Sequence, residues 1–261
     1  MQVLHLTIDR GVARLTFENP SRLNAINEAM WRSFPKILAQ VQDDITARVL
    51  VLQGAGDRAF CSGNDISEFE KVRADPLAAA AYNALQRDVA IRFRALTKPT
   101  IAAIHGYCLG AGFELALMCD LRVCTHGAQF GVPAVRLGLP YRLEDIATIL
   151  NVVGLAQARE MVLLGRRYGG EDALRLGLVN WLAGSAAAMR TVVDTAVADL
   201  TSAAPLSVAA ARIAFQELAR LDGPPDVERA QRAADLCYAS RDYAEGRAAQ
   251  REKRKPAFQG N

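Results

Sequence analysis

The amino-acid sequence predicts an α/β fold, and three observations carry that prediction. Residues 48–53 (RVLVLQ) centre on a continuously apolar strand, the pattern of a strand covered on both faces and paired in parallel through a helical crossover. Residues 101–120 (IAAIHGYCLGAGFELALMCD) run from an apolar strand through a glycine turn straight into a helix. The alternation of strand and helix continues to about Asn180; beyond Gly184 it gives way to alanine-rich helices, including residues 189–200 and 206–221.

The elements follow in order. Residues 12–17 (VARLTF) alternate apolar and polar, as a half-buried strand does, and residues 24–41 place Met30, Phe34, Ile37, Leu38 and Val41 at helical spacing. After the strand at 48–53 and the turn Gly54-Ala55-Gly56-Asp57 comes AFCSGNDISEF (59–69), in which Gly63 precedes Asn64, Asp65 and a helix start. Asp75-Pro76 supplies an N-cap with proline at N1, and that helix should stop before Lys98-Pro99. The helices past residue 190 have apolar faces that need partners, so the chain divides into an α/β core, residues 1–190, and a C-terminal helical region, residues 191–261.

Composition narrows the function classes. With 51% hydrophobic and 23% charged residues, the chain reads as an ordinary globular protein, and a net charge of +3 without a nucleic-acid motif gives no reason to expect nucleic acid as a partner. No apolar run reaches membrane-spanning length and the opening MQVLHLTIDR is not a signal peptide, so no membrane partner and a cytoplasmic location are expected. Cys61, Cys108, Cys119, Cys124 and Cys237 form no CxxC pair and read as small buried thiols. His5, His105 and His126 are isolated, which argues against a metal site and gives His105 a hydrogen-bonded structural role.

Chemistry concentrates in two segments. Gly110 and Gly112 allow a sharp turn and a close approach by another molecule, while the first helical turn leaves N–H groups free to hold an anion. A developing oxyanion there would be stabilised by those donors and by the helix dipole, with Glu114 placed as acid or base. Glu114 can equally be a first-turn acid that complements the helix N-terminus. A second free N–H can be presented at Asn64, after Gly63.

Together the two segments resemble the crotonase (enoyl-CoA hydratase/isomerase) superfamily. The resemblance extends to Asn19-Pro20-Ser21-Arg22-Leu23-Asn24-Ala25-Ile26, to residues 173–180 (ALRLGLVN) and to the tail Glu252-Lys253-Arg254-Lys255. It implies a spiral of β-β-α turns followed by a helical oligomerisation region that builds trimers, often paired into hexamers. It also implies an acyl-CoA substrate whose thioester oxygen is bound by the N–H groups of Asn64 and Ala111, with coenzyme A part of the substrate and no separate cofactor. The substrate-binding set it implies is Arg22, Ala25, Asn64, Asp65, Ile66, Ser67, Gly110, Ala111 and, from the tail, Lys253, which would reach the CoA phosphates, possibly those bound to a neighbouring subunit. Residues 68–81 should border the acyl chain.

The family's hydratases use two glutamates. Glu114 matches the first, but Ala134 stands at the second and has no ionisable group; loss of a general acid or base costs on the order of 10²- to 10⁴-fold in rate. The Pro140-Tyr141 pair and the tail are most similar to the methylmalonyl-CoA decarboxylase branch, which carries a tyrosine at the Tyr141 position. A phenol can orient a substrate carboxylate while two backbone donors stabilise the enolate left by CO₂ loss. Tyr141 can alternatively pack against the sheet with its hydroxyl at the surface. Glu144 and Asp145 can serve as acid/base groups or cap a helix. The favoured reaction is decarboxylation of a malonyl-type thioester; the alternatives are hydration or isomerisation from Glu114, and a non-catalytic acyl-CoA- or protein-binding role.

Overall fold

The computed structural model describes residues 3–220 and 223–261. Strands β1 (Val3–Asp9) and β2 (Val12–Glu18) form an antiparallel hairpin whose two turn residues, Arg10 and Gly11, both have positive φ, as the tight hairpin turn requires. Helix α1 (Glu28–Asp43) starts where the Asn27 side chain accepts from Met30 N–H and buries the stripe Met30, Trp31, Phe34, Leu38 and Val41. There follow β3 (Val49–Gly54), β4 (Ala59–Cys61), the short α2 (Phe69–Val72) and α3 (Pro76–Ala95), which the Asp75 side chain caps. Next are β5 (Thr100–Ile104), β6 (Tyr107–Leu109), α4 (Ala111–Met118), β7 (Leu121–Thr125) and β8 (Gln129–Gly131). The chain closes with α5 (Leu143–Leu164), β9 (Arg167–Gly169), α6 (Gly170–Arg175), β10 (Trp181–Ala183), α7 (Ala186–Ser202), α8 (Pro205–Leu218), α9 (Val227–Tyr238) and α10 (Arg241–Glu252).

The strands sort into two sheets, ordered β1-β2-β3-β5-β7-β10 and β4-β6-β8-β9. Each turn of the chain gives one strand to the first sheet and the next strand to the second, then returns by helix: β3 with β4, β5 with β6, β7 with β8. That is the spiral of β-β-α turns. The central strands are parallel, as crossovers demand, and β9 runs antiparallel at the second sheet's edge.

Alternation along β3 explains why its sequence is continuously apolar. Leu50 and Leu52 point into the main core with Phe17, Phe34, Phe60 and Phe113, whereas Val49 and Val51 point to the opposite face. There they meet Ile101, Ala103 and Val123, covered by Met189 and Val193 of α7. The division expected at residues 190/191 therefore falls inside α7, a helix that belongs to the sheet it covers. The helices that stand off the sheets begin at Pro205. Helix α8 ends at Leu218, and the expected end of that helix at Leu221 lies outside the described residues.

Two further expectations need correction. Helix α5 is long and apolar enough, with mean hydropathy 1.3 over an 18-residue window, to meet the length and composition of a membrane span. It is not one continuous rod, because Gly154 breaks it with φ 75° and ψ 170°. His105 carries no side-chain hydrogen bond at Nε2 although that atom is buried, and burial holds its pKa below the ordinary value. All five cysteines are free thiols, four of them buried and Cys237 partly so.

Helix α8 is tied to the core by one buried group. Arg212, 5% exposed, donates from Nε to both oxygens of Asp120 at 3.1 and 2.8 Å and from Nη1 to the Leu96 carbonyl, while Asp120 Oδ2 also accepts from Thr100 N–H at 2.7 Å. This knot joins α8 to the start of β5 through Thr100.

Candidate active site

Strand β6 ends at Leu109 and the chain turns at Gly110, whose φ of 49° and ψ of −124° suit glycine, before α4 begins at Ala111. Gly110 N–H donates to Gly131 O at 3.0 Å, which pins the turn to β8. Gly112 has a different purpose from the one expected. A Cβ there would lie 2.4 Å from Cys61 O, so the bare backbone makes room for β4 of the same chain and not for a ligand. Beside this turn, the segment after β4 brings Gly63 so close that a Cβ on it would lie 3.5 Å from Ala111 N.

The N–H groups of Asn64 and Ala111 are thus neighbours, and neither has a backbone acceptor among the described residues. Asn64 is flanked by bonds that fix its backbone: Ile26 N–H donates to Gly63 O at 2.8 Å and Asp65 N–H to Ile26 O at 2.9 Å. Its side chain, given no role from the sequence, is a hub. Trp31 Nε1, Tyr82 Oη and Gln86 Nε2 all donate to Asn64 Oδ1, at 2.8, 3.2 and 3.2 Å. Three donors on one oxygen tie α1 and α3 to the donor loop. Asp65, 5% exposed, accepts from Ser67 N–H and Oγ, leaving Ile66 and Ser67 exposed at the rim.

Arg22 and Ala25 border the same loop through Ser62, whose Oγ donates to Arg22 O at 3.2 Å and whose N–H donates to Leu23 O at 3.0 Å. Asn24 holds that border in place, donating to Ala55 O at 2.9 Å and Ala59 O at 2.7 Å. Lys253 is exposed at the end of α10 and lines neither cavity described below.

Glu114, in the first turn of α4, faces Tyr141, Arg142 and Asp145 from the α5 start and Arg73 from the end of α2. Its pKa is pushed up to about 7, first by burial and then by the Asp145 carboxylate, against the pull of Tyr141, Arg142 and Arg73. The Tyr141 ring packs against the core and its hydroxyl is buried, not at the surface. That oxygen lies against Glu114, near enough to influence its proton affinity, but falls short of full hydrogen-bond geometry with any partner. Burial and Glu114 both drive the phenol's own pKa well up.

The two acids at the head of α5 part ways. Glu144 turns outward to Arg87 at 2.9 Å, while Asp145 is gripped by Arg142 at 2.6 and 2.9 Å. Arg142 Nη1 also donates to Asn83 O at 3.2 Å, which locks α5 to α3. The i, i+3 spacing of Arg142 and Asp145 was a readable signal for this pair. Ala134, on a 3-10 turn at Pro133–Leu137, brings no ionisable group.

Behind Glu114 lies a cavity of about 20 Å³ walled by Gln86, Arg94, Ala111, Arg142, Asp145 and Thr148, room for about one water. A wider cleft of about 790 Å³, bounded by α3, α5, α8 and α9, shares Arg94, Arg142, Asp145 and Thr148 with it. The wider cleft has the volume of a small-molecule site, and the smaller one is lined by Glu114 itself.

Known proteins match the chain over almost its whole length. The model of the enoyl-CoA hydratase/isomerase family matches residues 7–261. The chain is similar to a short-chain-enoyl-CoA hydratase of Clostridium acetobutylicum, 29% identical over 94% of this chain and 92% of that one. It is likewise similar to a carnitinyl-CoA dehydratase of Escherichia coli, 33% identical over 98% of each. Among solved structures, an enoyl-CoA hydratase/carnitine racemase of Magnetospirillum magneticum superposes with a TM-score of 0.92 at 34% identity, covering 100% of this chain and 97% of that one.

Proposed function

Because the chain belongs to the enoyl-CoA hydratase/isomerase family, we propose that it forms and reprotonates the enolate of an acyl-CoA thioester, with Glu114 carrying the proton. The thioester oxygen sits between the N–H groups of Asn64 and Ala111 at the positive end of α4, where each oriented donor is worth roughly 10²- to 10³-fold in rate. The observation that carries this reading is the place of Glu114 in the first turn of α4, three residues after the Ala111 donor and facing Asp145, Arg142 and Arg73, where desolvation and the Asp145 carboxylate push its pKa up to about 7. A carboxyl group that is half ionised near neutrality can both take a proton from one carbon and return it to another. CoA is held along Arg22, Ala25 and the residues 64–67 rim, with Lys253 contributing from a neighbouring subunit of a trimer or hexamer.

Proton transfer by one carboxyl group suits double-bond isomerisation better than hydration. Hydration needs a second group to aim a water, Ala134 offers none, and both oxygens of Asp145 are engaged by Arg142. Decarboxylation of a malonyl-type thioester is the second reading, favoured by the buried, unpartnered Tyr141 hydroxyl next to the reacting position. A mass-spectrometric panel of acyl-CoA thioesters separates these readings, since isomerisation conserves mass, hydration adds water and decarboxylation loses CO₂. The proposal expects double-bond migration abolished by Glu114→Gln. CO₂ loss slowed by Tyr141→Phe, with Glu114→Gln mattering little, selects the second reading; rapid hydration of crotonyl-CoA as the sole activity contradicts both.

A further inference from the structure

One guanidinium at this site has a buried donor that nothing accepts. Arg94 donates to Thr148 and Arg142 to Asp145, so each of the other two arginines near Glu114 is engaged. Arg73 is different. Its Nε is buried and bonded to nothing, and no ion pair among the described residues includes it. The guanidinium carbon lies 5.2 Å from the ring centroids of both Phe69 and Tyr82. Two aromatic faces attract a cation and hold it flat, but they take up none of its hydrogen-bond donors.

Its position is defined by partners already described. Tyr82, one of the two rings, donates to Asn64 Oδ1 at 3.2 Å, and Asn64 supplies an N–H to the thioester oxygen in the proposed function. Arg73 therefore stands one aromatic ring away from Asn64 and within electrostatic reach of Glu114. Its buried Nε has no acceptor from the protein, and a ligand oxygen at the guanidinium would supply one.

We propose that Arg73 is a substrate-binding residue that receives a carboxylate on the acyl group, so that the preferred substrates are CoA monothioesters of short dicarboxylic acids. This rests on the acyl-CoA reading above and narrows its substrate class. The planar fork of Arg73, held flat by the two rings, matches a carboxylate bidentately, as a lysine could not. The Phe69 and Tyr82 rings would flank the intervening methylenes.

The test is calorimetric binding of succinyl-CoA and glutaryl-CoA to the full-length protein, each against the same thioester with isopropyl in place of the carboxylate. Wild type should bind at least one diacid thioester roughly 10- to 100-fold more tightly than its uncharged counterpart, the scale of a charge-assisted hydrogen bond. Arg73→Met should erase that preference while leaving the uncharged thioester's affinity unchanged, and Arg73→Lys should restore part of it. The proposal is overturned if wild type shows no preference, or if the preference survives Arg73→Met. It is also overturned if Arg73→Met weakens both thioesters alike, which would assign the residue to the CoA phosphates or to the fold. None of those failures touches Glu114, whose proton transfer is read separately on an uncharged acyl-CoA.

Discussion

At the scale of single residues, Glu114, the proton carrier of the proposed function, also bears on stability. Its folded-state pKa of about 7 lies above the ordinary carboxyl value of 4.5, so the native state binds the proton more tightly than the unfolded chain does. Stability contributed through this group is fully present below about pH 4.5, falls as pH rises, and is lost above pH 7. Glu114→Gln removes the buried charge and keeps the volume. Thermal melts should show the variant more stable than wild type at pH 8, by up to about 3 kcal/mol, and little changed at pH 5. A wild-type advantage at pH 8 would mean that Glu114 is a structural ion-pair partner and not a protonatable acid. The sequence exposed Glu114 itself through its place after the glycine turn. It could not expose what tunes it, because Asp145 is 31 positions away and approaches only through the Arg142 contacts to α3.

At the scale of elements, α4 and the loop after β4 are built to converge, and each is positioned by its neighbours. Both donor segments were legible because a strand, a glycine and a helix start fall within a dozen residues. The hub at Asn64 Oδ1 was not, since Trp31, Tyr82 and Gln86 come from two helices far apart in sequence. The helical region was legible by composition, but its border was misplaced because α7 is alanine-rich like α8 while covering the Val49, Val51 and Val123 face. Arg212 joins α8 to the core, with Gln216 adding a bond to the Leu96 carbonyl at 3.2 Å. Arg212→Met would remove the bonds to Asp120 and Leu96, and because Asp120 is partly open to water a loss of about 1 to 2 kcal/mol is expected. Hydrogen exchange should localise the loosening to residues 205–218 and to the β5 start, where Thr100 shares Asp120. Uniform protection in the variant would show that the apolar contacts of α8 suffice to dock it.

At the scale of the whole molecule, the exposed apolar surface is concentrated on the helices. Leu143, Leu155 and Leu163 of α5 are 77, 52 and 68% exposed, and Phe215 and Leu218 of α8 are 72 and 74% exposed. Side chains of this size in such numbers mark a surface that needs a partner. A second and third copy of the chain would cover it, and light scattering at micromolar concentration should return a trimer or hexamer; a stable monomer would contradict this. Mixing catalytically dead Glu114→Gln subunits with Lys253→Ala subunits would then show whether Lys253 serves a neighbour's site.

The central claim is that two backbone N–H groups hold a thioester oxygen while Glu114 moves the proton at the adjacent carbon. Its most direct test is deuterium incorporation from D₂O at Cα of butyryl-CoA, an uncharged thioester that needs neither Arg73 nor Tyr141 as a carboxylate receptor. Wild type should exchange that hydrogen at a rate that rises through about pH 7 as Glu114 ionises, and Glu114→Gln should not exchange it above background. Saturating binding of butyryl-CoA with no exchange by wild type, or equal exchange by the variant, would contradict the account.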